Sequence, residues 1–328
     1  MAQRIYKRIQ QELRKMITKQ VITTARAVAN GIKLLGITLL LLTSGRALAQ
    51  QNTFSYNQYA DNLTPLNPAY SLLDKAGNVN ILGRRQFIGL EGAPNSLLMS
   101  ASFPLESIGA AAGLFLVNDK FAVENQTEVN GFFAKSIQLA SSAYLSVSIN
   151  AGIRSYLANY STLDPNDPVF SQDVRETKPN IGFGVMFYKD NYYVGVSVPE
   201  LSFRNLGTAS VQQANYLRSH YYFCGGFLAK LNDDIQLKPA ALVSYLQGSP
   251  VVADISGTMY LKEQLGLGVN YRTNKQVAGI ISVNANSFKV GYSYQFGTSS
   301  SNLGGYNNAT HEVSISYRWG ADLQRKLL

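Results

Sequence analysis

The 328-residue chain holds one cysteine, one tryptophan and two histidines. A lone Cys224 permits no internal disulfide, and no ligand spacing surrounds it. Its expected role is that of a small packed side chain. With only His220 and His311 present, imidazole chemistry has little to draw on, and a surface or lumen position is expected for each. The GxGxxG and P-loop spacings are absent, so phosphate-cradling enzymes are not indicated. No catalytic residue, metal ligand or cofactor is assigned. Long apolar runs are missing as well. Beyond residue 49 none approaches the length of a transmembrane helix, and helical periodicity is scarce.

Basic charge is present but misplaced for a nucleic-acid protein. The chain carries a formal +9, yet nine of its 29 Lys/Arg and one of its 20 acids fall within residues 1–49. The remainder is nearly neutral, so no nucleic-acid groove is expected. Residues 1–49 read instead as a secretory leader. A basic stretch reaches Lys33, an apolar core spans 34–42, and Ala47-Leu48-Ala49 forms a small-x-small site. Cleavage is expected between Ala49 and Gln50. The apolar core is too short to span a bilayer, and no Cys follows the site to carry a lipid anchor. Met1 and Met16 are both candidate starts.

What the mature chain has in quantity is two-residue alternation, the mark of strands with unlike faces. In 287–296, Phe288, Val290, Tyr292, Tyr294 and Phe296 oppose Ser287, Lys289, Gly291, Ser293 and Gln295. In 312–319, Val313, Ile315, Tyr317 and Trp319 oppose Glu312, Ser314, Ser316 and Arg318. Similar segments occur at 143–154, 181–187 and 264–272. A soluble sandwich would alternate too. Three features favour a membrane barrel: a second face rich in Gly, Ser and Asn, aromatics near strand ends, and the secretory leader. The fold class expected is all-β, a single antiparallel outer-membrane β-barrel of about 14 strands over 77–320. Residues 50–76 precede it as a small plug or a periplasmic packing segment, and 321–328 follow as a tail. Short turns at Lys189-Asp190-Asn191, Asn232-Asp233-Asp234, Thr273-Asn274-Lys275 and Asn284-Ala285-Asn286 are expected at the periplasmic end, with longer loops outside.

Two blocks of motifs resemble the PorP/SprF family of type IX secretion system membrane proteins. The first runs from Tyr56-Asn57-Gln58-Tyr59 through Leu66-Asn67-Pro68-Ala69-Tyr70 and Arg84-Arg85-Gln86-Phe87 to Gly92-Ala93-Pro94. The second holds Asp167-Pro168-Val169-Phe170, Pro179-Asn180-Ile181-Gly182-Phe183-Gly184, and 192–199. Family members usually carry an aromatic, often Trp, at the position of Phe87; here the ring is kept and the indole donor lost. The resemblance implies a barrel in outer-membrane lipid that works beside other type IX components. Its implied partners are secreted cargo proteins, including gliding-motility adhesins.

The motif residues also have local readings. Asn67-Pro68 reads as a turn initiator that fixes how 50–76 enters or caps the barrel. Gly92-Ala93-Pro94 reads as a turn. Arg84 and Arg85 point to opposite faces if they lie on a strand, and one entering the lumen would pair with a carboxylate, Glu91 or Glu106 being the local candidates. A structural ion pair or a charged strand end is the expected role. Asp164, Asp167 and Asp173 share one loop but match no EF-hand spacing, so an ordinary solvated loop is expected. The function expected is a non-enzymatic secretion barrel. The alternatives are an outer-membrane transporter or channel for small or hydrophobic solutes and, more remotely, an outer-membrane hydrolase.

Overall fold

A computed structural model shows the alternating strands closed into a ring. It describes residues 55–73, 75–163, 172–202, 219–246, 249–296 and 309–320. Strands β1 (Gly77–Gln86), β2 (Asn95–Leu105), β3 (Ala110–Phe121) and β4 (Glu124–Ala140) open the barrel. Then come β5 (Ala143–Ala158), β6 (Val174–Lys189), β7 (Tyr192–Ser202) and β8 (His220–Phe227), the last extended by a two-residue piece, Ala229–Lys230. The ring continues with β9 (Ile235–Leu246), β10 (Val252–Leu261), β11 (Leu265–Arg272), β12 (Gln276–Ala285), β13 (Phe288–Phe296) and β14 (Thr310–Trp319). Every neighbour in sequence is an antiparallel neighbour in space, and β1 pairs with β14 from Gly77↔Trp319 to Gln86↔Thr310. The protein is a closed 14-stranded antiparallel barrel. Closure pairs the first and last strands, which would otherwise leave bare edges in lipid.

The two faces of each strand go where the alternation sends them. On β14, Val313, Ile315 and Tyr317 are exposed, while Glu312, Ser314, Ser316 and Arg318 are buried inside. On β13, Phe288, Val290 and Tyr292 point out and Lys289 and Ser293 point in. The outward aromatics include Phe103, Phe121, Phe227, Phe288, Phe296 and Tyr317 near strand ends, as an interfacial girdle requires. No helix among the described residues is long and apolar enough to cross a membrane; the strands do the crossing. The barrel lies in the outer membrane.

Turns at one end all have two to four residues: 106–109, 141–142, 190–191, 231–234, 262–264 and 286–287. Asn286 sits at φ 51°, a left-handed position that Asn tolerates, and starts the two-residue turn before β13. The other end carries the long connections 159–173, 203–219 and 297–309. In outer-membrane barrels the short-turn end is periplasmic. Thr273-Asn274-Lys275 departs from expectation: although short, it follows the odd-numbered β11 and lies at the long-loop end. Strand parity, not turn length, decides which end a turn occupies.

Candidate functional site

The interior is occupied. Residues 55–73 run among the inward-facing side chains, with Tyr56, Tyr59, Leu63, Leu66 and Ala69 at most 2% exposed. They pack against Leu82, Leu98, Met186, Tyr193, Cys224 and Leu242 of the wall. Cys224 is thus a buried packed thiol, as expected.

Polar contacts fix this segment along its length. The Ser55 carbonyl accepts from Arg84 Nη1 at 3.0 Å. The amides of Asn57 and Gln58 donate to the Glu312 carboxylate at 2.9 and 3.3 Å, and Ser314 Oγ donates to Gln58 Oε1 at 2.7 Å. Asn270 Nδ2 donates to Asn57 Oδ1 at 3.3 Å. The Tyr59 hydroxyl donates to the Ala240 carbonyl at 2.9 Å and accepts from Ser256 Oγ at 3.1 Å. Lys238 Nζ donates to the Ala60 carbonyl at 2.8 Å, and Lys289 pairs with Asp61 at 2.5 Å. Asn62 Nδ2 donates to Ser100 Oγ at 3.0 Å. Further along, Ser197 Oγ donates to the Leu66 carbonyl at 2.6 Å and Ser146 Oγ to the Ala69 carbonyl at 3.2 Å.

Asn67 does the most. Its Nδ2 donates to the carbonyls of Val185 and Val196 at 3.2 and 3.3 Å, and its Oδ1 accepts from Ala69 N at 3.2 Å, capping a 3-10 turn over Pro68–Leu72. Room for it comes from glycine. A Cβ on Gly184 would lie 2.3 Å from Asn67 Oδ1, and one on Gly195 would lie 2.9 Å from Asn67 Nδ2. Gly291 does the same for Gln58, whose Oε1 would be 2.2 Å from an added Cβ. The bare patches on the inner face are seats for this segment.

Several of the buried charges are paired, as low-dielectric surroundings favour. Glu312 is fully buried and pairs with Arg84 across the β1–β14 closure at 3.4 Å. Asp254 pairs with Arg272 at 2.8 Å. Nearer the long loops, Arg154 binds Glu128 at 3.0 Å and also meets Glu200, which in turn contacts His220 Nδ1. Asn180 Nδ2 ties Glu128 and Asn130 together at 2.8 and 2.9 Å. Among the described residues no group of three His, Cys, Asp or Glu is placed to hold a metal ion.

A model of the family "Type IX secretion system membrane protein PorP/SprF" matches residues 48–317, most of the chain. The chain belongs to this family. Among solved structures the PorP/SprF barrel is similar to Omp33 of Acinetobacter baumannii, at 9% identity over 75% of this chain and 100% of that one, with a TM-score of 0.42. It is also similar to a mutant of the monoaromatic hydrocarbon channel TodX, at 10% identity over 78% and 94%, with a TM-score of 0.47. The NanC porin aligns at 9% identity over 74% and 100%, with a TM-score of 0.38. No curated protein matches.

The family motifs fall into two places. Asn67, Pro68 and Ala69 are buried in the lumen, and Tyr70 stacks edge-on against Tyr193 at 5.7 Å. Arg84 enters the lumen and Arg85 points out, as opposite faces require. The partner of Arg84 is Glu312, not Glu91 or Glu106. Register explains this: Arg84 and Glu312 are directly opposed across the closing strands, and sequence neighbours on a turn are not. Gln86 ends β1 and Phe87, Gly92, Ala93 and Pro94 lie in the β1–β2 connection, with Gln86 N bonded to the Pro94 carbonyl and Phe87 N to that of Ala309. Phe87 and Gly92 take positive φ of 46° and 71° there. Of the aspartates, Asp173 accepts from Ser161, while Asp164 and Asp167 lie outside the described residues, as do Ala49 and Gln50. His311 sits on the outer face beside the Tyr292 hydroxyl, at 2.8 Å. Sequence reasoning missed Glu312, Asp254 and Glu200 as organising residues. For Glu312 a signal existed: it is the only acid on the inner face of its strand.

Proposed function

We propose that this barrel serves type IX secretion as a closed, non-enzymatic outer-membrane element that engages secreted proteins, gliding adhesins among them. Residues 1–49 are its removable leader, 50–76 a plug that accompanies the barrel over 77–320, and 321–328 a tail. Family membership across 48–317 supports the secretion role. The observation that carries the choice against a solute channel is the lumen itself. Hydrogen bonds or ion pairs from ten of the fourteen strands hold residues 55–73 across it. An open porin-type channel would leave that space to water. The motif Asn67, Pro68, Ala69 and Tyr70 is then a device for seating the plug.

Deleting the gene tests the reading. A surface proteome that loses particular secreted proteins while solute uptake stays normal is the expected result. Normal surface proteins with impaired uptake would reverse the choice in favour of transport.

A further inference from the structure

Among the described residues the β7–β8 ladder is short for the length of its strands. Their pairing runs from Tyr192↔Phe227 to Ser197↔Tyr222 and, among the described residues, goes no further. Pro199 lies two residues past its end. It has no N–H to give to a ladder, and the register of β7 against β6 shifts there, between Ile181 and Phe183 on the β6 side. The Pro199 carbonyl turns inward, accepting from Asn150 Nδ2 at 2.8 Å over Gly182, where an added Cβ would lie 2.2 Å from that oxygen. The next residue, Glu200, is carried into the lumen against Arg154 and His220.

Two hollows flank this stretch of wall, one on each side. Outside lies an apolar groove of about 410 Å³, bordered by Phe183, Val196, Val198, Tyr221, Phe223 and Tyr245. Inside lies a cavity of about 90 Å³ bordered by Leu66, Phe115, Pro199, Glu200 and His220. Tyr222 borders both, and Val198 and Pro199 are consecutive. His220 offers an unused atom at the inner hollow. Its Nδ1 faces the Glu200 carboxylate, while its Nε2 is buried and has no hydrogen-bond partner among the described residues. With Nδ1–H donated to Glu200, Nε2 is left as an acceptor. A hydroxyl satisfies it; a carboxylate does not, and would also meet Glu128 and Glu200.

We propose that the end of the β7–β8 ladder is a binding site for a single-chain amphiphile with an uncharged, hydroxyl-bearing head. The acyl chain lies in the outer groove, which is continuous with the bilayer's apolar region, and the head reaches through the wall there to His220 Nε2. The site is independent of which cargo the barrel serves.

The test uses the full-length protein in nanodiscs of phosphatidylethanolamine and phosphatidylglycerol, with a photoreactive monoacylglycerol as probe. Saturable adducts on Val198, Tyr221 and Phe223, displaced by unlabelled monoacylglycerol, are expected. Loss of one buried hydrogen bond predicts competition weakened about tenfold in His220→Phe. Val196→Trp, on the lipid-facing side, fills the groove and abolishes the adducts; its heat-modifiable gel mobility confirms that the barrel is intact. Unsaturable adducts spread evenly round the barrel, including Val290 and Ile315 on other strands, would overturn the site. So would equal labelling by a photoreactive fatty acid of the same length, or a His220→Phe protein that competes like the parent.

Discussion

Glu312 holds three things at once with one carboxylate. It pairs with Arg84 across the closing strands, accepts the amides of Asn57 and Gln58, and accepts from Ser293 Oγ at 3.1 Å. Glu312→Gln keeps the shape but leaves a buried guanidinium without its counter-charge, which predicts a loss of about 3 kcal/mol in unfolding free energy. Urea titration followed by the fluorescence of Trp319, the single tryptophan, measures it. Asn67 and Gly184 form a matched pair, and their coupling is separable. Gly184→Ala pushes a Cβ into the Asn67 amide and is expected to cost about 1–3 kcal/mol in the parent. In an Asn67→Ala background the same change meets less, so the double mutant should be more stable than the sum of the single losses implies. Strict additivity would mean that the amide does not occupy the glycine seat.

At the level of elements, the barrel's strands owe their placement to pairing, and the described part of the 159–173 connection owes its own to local bonds. In the 159–173 loop, a 3-10 turn at Tyr160–Thr162 is tied down by Asp173, which accepts from Ser161 Oγ at 2.8 Å and from Ser161 N at 3.1 Å. Those bonds, the hydroxyl's first and then the amide's, with Arg175 adding to them, hold the Asp173 carboxyl below its ordinary pKa. The folded value is depressed, so the contribution is present above the ordinary carboxylate pKa and is lost as pH falls through the lowered one. Limited pepsin digestion should therefore cut this loop faster as pH drops from about 5 to about 3. Asp173→Asn should be cut readily across that range, with little dependence on pH beyond pepsin's own.

For the molecule as a whole, the question is whether the ring is a pore or a filled cylinder. A 14-stranded ring encloses more space than its own inward side chains fill, and residues 55–73 take up that space. The intact protein in planar bilayers should show no steady conductance. Deleting 55–73 should produce stepwise conductance, and cutting two tethers in place, with Lys238→Ala and Glu312→Ala, should give intermittent openings if the deletion fails to fold. Steady currents through the intact protein would contradict a filled lumen.

The two-residue period by itself determined strands with unlike faces; a soluble sandwich shares that period, and the Gly-, Ser- and Asn-rich second face is what pointed to a membrane barrel. Residues such as Val313, Ile315 and Tyr317 against Glu312, Ser314 and Ser316 suit a wall with lipid on one side and a polar interior on the other, and closing fourteen such strands into a ring leaves no edge bare in lipid. The motif residues Asn67 to Tyr70 were legible as a fixed turn before the strands. What they touch was not, because Asn67 meets Val185 and Val196 from more than a hundred residues away, and chain order carries no record of such contacts. The same holds for Arg84, whose neighbours in sequence offered Glu91 and Glu106 while closure delivered Glu312. Periodicity is a local property written into every strand. Register, ring closure and the filling of the lumen depend on distant segments meeting, and only the tertiary structure decides them.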